Sequence, residues 1–187
     1  MKIRLATNEI QRDSIVDGEG IRSVIWTQGC IHNCPGCHNP ETHSFQGGII
    51  VDVEILKVKI KELEGQDGIT FSGGDPMEQA EACGELAKYC QRLGLNVWCY
   101  TGYKFEDLLK KSQGIKAIRD FLDNIDVLVD GKFILAEKSY DAIFRGSNNQ
   151  RIIDVKESLK NNKTIEVLKY ASNNEKQEKN KKTYLYV

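Results

Sequence analysis

The chain is predicted to be an α/β protein, an incomplete, open βα barrel with a parallel sheet and helices outside it. Three observations lead there. Strand-like and helix-like stretches alternate along the sequence; the conspicuous motifs fall just past the ends of strand-like stretches; and 187 residues are too few for a closed eight-fold barrel. Residues 21–27, IRSVIWT, are short, β-branched and aromatic, and stop at Gln28-Gly29, so they read as a strand running into a cysteine-rich loop. Asp52 is placed to cap a helix through about Leu63, with Gly65 as its stop. GITFS, 68–72, is the next strand and ends in Gly73-Gly74. Asp75 then offers a cap and Pro76 the favoured first position of a helix. Its apolar stripe runs through Ala80, Cys83, Ala87, Cys90 and Leu93 to Gly94. LNVWCYT, 95–101, reads as a strand, 105–123 as a helical region broken near Gly114, and DVLVD, 126–130, as a strand ending at Gly131. RIIDV, 151–155, is one further strand. Residues 1–171 form one domain in this reading, and the polar, lysine-rich 172–187 a solvated tail.

Composition narrows the function classes. Charged residues make up 28% and apolar ones 40%, a globular balance. No apolar run approaches the roughly 18 residues of a membrane helix. A formal net charge of -1 provides no bulk attraction to nucleic acid or anionic lipid, so neither is expected as a partner. The N-terminal segment MKIRLATNEIQRDS has no apolar signal region, which points to the cytoplasm. In that reducing compartment six cysteines argue for metal binding or burial rather than disulfides.

Three of the cysteines, Cys30, Cys34 and Cys37, crowd into eight residues of QGCIHNCPGCHNP, 28–40. Soft thiolates select zinc, copper(I) or iron-sulfur centres. A structural zinc site wants four ligands, and no second cysteine pair follows, although His32, His38 or His43 could complete one. A ferredoxin-like module would need a fourth cysteine nearby, and none occurs between Cys37 and Cys83. Cys83 and Cys90 lie on a helical apolar stripe, where cysteine acts as a small hydrophobe. A cubane 4Fe-4S cluster takes one cysteine per iron, so three cysteines leave one iron open for chemistry.

The C-x3-C-x2-C spacing after a first strand resembles the radical S-adenosylmethionine superfamily. SIVDGEGIRSVIWTQGC (14–30), CPGCHNPET (34–42), FSGGDP (71–76), YTGY (100–103) and RGSNNQRIIDV (145–155) resemble, more narrowly, the activating enzymes of glycyl radical enzymes. Among these the pattern is most similar to activases of anaerobic ribonucleoside-triphosphate reductase, and it covers about residues 10–155. The resemblance implies a 4Fe-4S cluster on Cys30, Cys34 and Cys37, with S-adenosylmethionine chelated at the open iron. It further implies one-electron cleavage of the sulfonium to a 5′-deoxyadenosyl radical, which takes a Cα hydrogen from one glycine of the partner reductase. An electron donor such as flavodoxin or ferredoxin is implied as well. Alternatives are an activase of another glycyl radical enzyme, a small-molecule radical enzyme such as the 7-carboxy-7-deazaguanine synthases, or a zinc or ferredoxin-like binding module.

Site residues carried over by the resemblance each have a plainer structural reading. Ser72, Gly73 and Gly74 are expected to meet the methionyl ammonium group, and a branched side chain at Gly74 to block it while sparing the cluster; otherwise they form an ordinary strand-to-helix turn. Asp75 is a helix cap or a ligand. Gly36, Cys37 and His38 are expected to border the adenine; in the wider superfamily an aromatic residue often stands where Gly36 is. Tyr100 and Thr101 contact the nucleoside or simply finish a strand. Asp130 and Lys132 are the expected polar contacts to the ribose and the methionyl carboxylate. Asn148, Gln150 and Arg151 match the late motif without an assigned role, and no protein side chain is assigned as a catalyst.

Overall fold

The computed structural model describes residues 1–170, so the 172–187 tail lies outside the described residues. The strands are β1 (Lys2–Leu5), β2 (Gln11–Ser14), β3 (Arg22–Thr27), β4 (Ile49–Asp52), β5 (Gly68–Gly73), β6 (Asn96–Tyr100), β7 (Val127–Asp130) and β8 (Arg151–Asp154). The helices are α1 (Val53–Lys61), α2 (Ala80–Arg92), α3 (Phe105–Ser112), α4 (Lys116–Leu122) and α5 (Val155–Asn161). One eight-stranded sheet runs β4-β1-β3-β5-β6-β7-β8, with β2 paired to β3.

The expected parallel sheet is its centre. β3, β5, β6 and β7 are parallel, in register from Arg22↔Gly68 to Thr27↔Gly73 and from Gly68↔Asn96 onward. Antiparallel strands flank this centre, which departs from an all-parallel reading. β8 returns alongside β7 with Asp130 opposite Arg151, and β1 and β4 extend the other side. β1 and β2 both pair with β3 at different heights, Leu5↔Thr27 and Gln11↔Val24. None of β1, β2 or β4 was expected: each is four residues long, and β2, QRDS, is wholly polar. QRDS carries no apolar period and becomes a strand only through its partner, while KIRL alternates and IIVD is largely apolar, but each is too short to declare itself.

The helices cover one face of the sheet. Alternation along each strand sends Val97, Cys99, Leu128 and Ile153 into the core beneath α1 to α4, where they meet Leu56, Leu86, Phe105 and Phe121. The intervening Trp98, Val129 and Ile152 pack on the opposite face with Tyr170. Asp52 caps α1 by accepting the Glu54 N–H at 2.9 Å, as expected. Asp75 also caps, but what it starts is a 3-10 turn, Pro76–Gln79, with α2 following at Ala80. Ala80, Cys83, Ala87 and Cys90 are buried, whereas Leu93 lies past the helix end and is 42% exposed. The helical region after Tyr103 divides into α3 and α4 around Gly114. No helix among the described residues is long and apolar enough to cross a membrane.

Candidate cofactor site

The carboxyl ends of β3, β5, β6 and β7 meet at one rim, and the cysteine loop springs from the first of them. Its base is closed by backbone pairing, Gly29 N–H to Thr42 O at 2.8 Å and Cys30 N–H to His43 O at 3.0 Å. The buried Gln28 side chain donates to the carbonyls of Glu41 and Ser44, at 3.0 and 2.8 Å, and so stitches the loop from within. Between Cys34 and Cys37 the chain reverses: Cys37 N–H reaches Cys34 O at 3.1 Å, with Pro35 and Gly36 at the corner. Gly36 has φ of +73°, the left-handed value that a Pro-Gly corner requires. The loop joins β5 through Gly74 N–H to Thr27 O (2.8 Å) and Asp75 N–H to Gly29 O (2.9 Å).

Cys30, Cys34 and Cys37 are free and half-buried, while Cys83, Cys90 and Cys99 are free and fully buried. Burial pushes the Cys90 thiol up to about 12 and raises Cys83 and Cys99 as well. These three behave as core hydrophobes. Cys30 and Cys34 are raised too, first by partial burial, with opposing help from the backbone N–H groups of His32 and Phe133 respectively. Asn39 N–H points at Cys37 Sγ from 3.4 Å. Three accessible thiols with N–H groups directed at their sulfurs fit an iron-sulfur centre, whose potential such hydrogen bonds tune. Among the described residues, no group of three or more His, Cys, Asp or Glu side chains is disposed to hold a single metal ion. A cubane, with one thiolate per iron, does not ask for that convergence.

The three cysteines line a small cavity of about 120 Å³ together with Ser72, Gly73, Gly74, Asp75, Tyr100 and Thr101. It shares Cys37, Ser72, Tyr100, Phe133 and Gln150 with a second cavity of about 490 Å³. That volume lies in the range of small-molecule sites. Its wall is rich in rings, with Trp26, His38, Tyr100, Phe133 and Phe144, and carries Asp17 and Arg145 as polar groups. Ser72 and Tyr100 thus stand where the thiol cavity opens into a larger, aromatic one.

Several expected contacts have other partners. Asp75 is 1% exposed, and its oxygens accept from Met77 N–H, Thr101 Oγ1, Gly102 N–H and the His32 ring, so cap and rim are held by one carboxylate. Asp130 is equally buried. It accepts Phe105 N–H at 2.8 Å, at the start of α3, and Arg151 Nε at 2.9 Å. Arg151 also donates to Glu106 at 3.0 and 2.8 Å, and this pairing holds the Glu106 carboxyl down to about 2. Neither Asp130 nor Lys132 lines either cavity, and Lys132 is exposed. The neighbouring Gly131 and Phe133 take that place. Gly36 packs toward Leu135, where an added Cβ would stand 2.9 Å from Cδ1, and it lines neither cavity; His38 lines the larger one, 5.0 Å from the Phe133 ring centre.

Sequence reasoning passed over Phe133 and left Gln150 without a role. Gln150 joins β7 to the late motif: Nε2 donates to Gly131 O at 3.0 Å, and Oε1 accepts the N–H groups of Gly146 and Ser147. Asn149 Nδ2 donates to Lys132 O at 2.8 Å, and Asn148 N–H to Glu137 O at 2.9 Å. The RGSNNQR motif is therefore a clasp that holds residues 131–137 over the rim. A Pro-free polar run between two strands was the available signal, but nothing local says what it fastens.

A family model described as a 4Fe-4S single cluster domain matches residues 16–153. The anaerobic ribonucleoside-triphosphate reductase-activating protein of Haemophilus influenzae is 35% identical over 147 residues, covering 74% of this chain and 90% of that protein. Its counterpart in Escherichia coli K12 is 34% identical over 151 residues, 73% of this chain and 90% of that one. The Enterobacteria phage T4 protein of the same name is 33% identical over 145 residues, with 73% and 86% covered. Among solved structures, QueE from Escherichia coli overlaps 55% of this chain and 53% of its own at 16% identity and a TM-score of 0.45. On the family model and these relatives, the chain belongs to the family of anaerobic ribonucleoside-triphosphate reductase-activating proteins.

Proposed function

We propose that this protein is a radical S-adenosylmethionine activase that installs a glycyl radical on anaerobic ribonucleoside-triphosphate reductase; its relatives are named as activating proteins of that reductase. The observation that carries the reading is the continuity of the two cavities: three half-buried thiols open, past Ser72 and Tyr100, into an aromatic chamber of about 490 Å³. In this reading residues 1–171 are one radical S-adenosylmethionine domain, and the eight-stranded sheet, with β4 and β8 at its two ends, is an open barrel.

Cys30, Cys34 and Cys37 would hold a 4Fe-4S cluster with one iron left open. When bound, the reduced cluster supplies the electron that splits the S-adenosylmethionine sulfonium, so that the C5′ radical can take a Cα hydrogen from the partner's glycine. The backbone at Ser72-Gly73-Gly74 borders the thiol cavity and is the surface available to the methionyl group. Tyr100, Phe133 and His38 offer ring faces and edges to the adenine. The RGSNNQR clasp keeps residues 131–137 in place as a wall that limits water. Ile15, Val16, Tyr140 and Ile143 are exposed by 70%, 70%, 92% and 57%, and Val16 and Tyr140 line the chamber mouth. Apolar exposure beside a site suits a protein substrate. A flavodoxin or ferredoxin type of donor would supply the electron.

The test mixes the anaerobically reconstituted, reduced protein with S-adenosylmethionine and the cognate reductase. A doublet electron-spin signal from one glycine is expected, with methionine and 5′-deoxyadenosine released. Deuterating that glycine at Cα should place deuterium in the 5′-deoxyadenosine. Rapid cleavage with no glycyl signal, accompanied by turnover of a small molecule, would overturn the reading.

A further inference from the structure

His32 sits between Cys30 and Cys34 in sequence, yet its side chain is only 6% exposed and its Nε2 lies 2.8 Å from Asp75 Oδ2. Asp75 already receives Met77 N–H, Gly102 N–H and the Thr101 hydroxyl, each at 3.0 Å. With these donors all directed at the carboxylate oxygens, the His32 contact is completed by an Nε2–H that donates to Oδ2. Two further contacts hold the imidazole. It meets Tyr103 edge to face, with ring centres 4.6 Å apart and an interplanar angle of 75°. It also fills the space over Gly102, where a Cβ would stand 2.3 Å from His32 Cδ2. Tyr103 is itself fixed, its hydroxyl donating to Glu78 at 2.6 Å. Position 102 is therefore open to little besides glycine while the ring is in place.

We infer that His32 is a positioning residue, a clamp that holds the cysteine segment against the carboxyl ends of β5 and β6. The inference rests on the reading of Cys30, Cys34 and Cys37 as cluster ligands. Several other side-chain ties of the loop close on the loop itself, Gln28 to Glu41 and Ser44, and His43 to Asn33, while from outside it Gln79 reaches the Gln28 carbonyl at its root and the Phe133 N–H reaches Cys34. The His32 contact instead reaches the carboxylate that organises the rim, 43 residues away. It sets where the thiols stand relative to Gly73, Gly74 and Thr101, and so where the open iron stands relative to the surface that receives the methionyl group. Outer partners of metal ligands act in this way, and their loss typically costs about 10–100-fold in metal affinity or activity.

The experiment compares the full chain with H32Q and H32L, each reconstituted anaerobically. Both replacements fill space, but only glutamine offers an N–H to Asp75. Iron transfer to a chelator should quicken about 10–100-fold in H32L and stay near wild type in H32Q. The change that S-adenosylmethionine causes in the reduced cluster's electron-spin spectrum should weaken in H32L and be retained in H32Q. Thermal unfolding of the apoproteins identifies a variant that fails to fold; if H32L does, H32N, whose shorter amide cannot span the distance to Asp75, replaces it. Iron release from the donor-less variant at the wild-type rate overturns the inference, as does H32Q proving equally labile. Failure of the wild-type chain to assemble any cluster would instead overturn the proposed function, and this inference with it.

Discussion

Gly74 lies directly against Gly29: a Cβ built on Gly74 would stand 2.4 Å from the Gly29 carbonyl oxygen, which also accepts the Asp75 N–H at 2.9 Å. Gly73 is equally confined, with φ of +100° and a virtual Cβ 2.5 Å from Thr27 O. The glycines let the end of β5 approach the root of the cysteine loop. This changes what a substitution there does. The expectation that a branched side chain at Gly74 intrudes on the methionyl group and spares the cluster gives way to a collision with the loop backbone. Gly74→Ala should lower apoprotein stability in urea by about 1–3 kcal/mol, the usual effect of overpacking, and reduce iron incorporation. Wild-type stability and iron content with weakened S-adenosylmethionine binding would return the glycine to the ligand surface.

The six cysteines should separate into two groups. Cys30→Ala, Cys34→Ala or Cys37→Ala should abolish a cluster that otherwise brings about four irons per chain. Cys83→Ala or Cys90→Ala should retain it and cost on the order of 1 kcal/mol in packing. Alkylation of the native apoprotein checks the same division. The half-buried thiols should react first, while Cys83, Cys90 and Cys99 should wait for denaturation, since burial both hides them and keeps them protonated.

Removing Arg151 should be costly because Asp130 is 1% exposed and would lose its charge partner. Arg151→Met is expected to destabilise the fold by about 2–4 kcal/mol, less than a fully buried pair because the arginine side chain is 27% exposed. Denaturant titration of the apoprotein measures it directly.

Glu106 gives the same network a pH signature. Its carboxyl is lowered from 4.5 to about 2, chiefly by hydrogen bonds from Arg151. A depressed carboxyl contributes stability in full above its unfolded value, and that contribution is lost as pH falls from about 4.5 toward 2. In Glu106→Gln the slope of stability against pH across that window should flatten. An unchanged slope would mean that other carboxylates govern acid unfolding.

Phe133 supplies a wall common to both cavities. Phe133→Ala should weaken S-adenosylmethionine binding by about 1 kcal/mol, roughly fivefold, if its ring meets the adenine. Iron content should be unaffected. Calorimetric titration and iron analysis on one sample separate the two effects.

What could be read in the sequence was local. The periodic stretch from Ala80 to Cys90, the strand-like 21–27, 68–72 and 126–130, the Asp52 cap and the C-x3-C-x2-C loop each declare themselves within a few residues, because side-chain period, cap chemistry and turn chemistry act over that range. Family membership was legible for the same reason, since its motifs are short runs. Tertiary structure decided which distant groups meet. QRDS becomes β2 because β3 offers it a partner, Asp130 turns to Arg151 because β8 runs antiparallel to β7, and Asp75 is shared by a cap, a strand end and a histidine 43 residues away. Those pairings depend on strand order and register, and a buried carboxylate takes whichever donors the fold brings within reach; its own neighbours in the chain do not specify them.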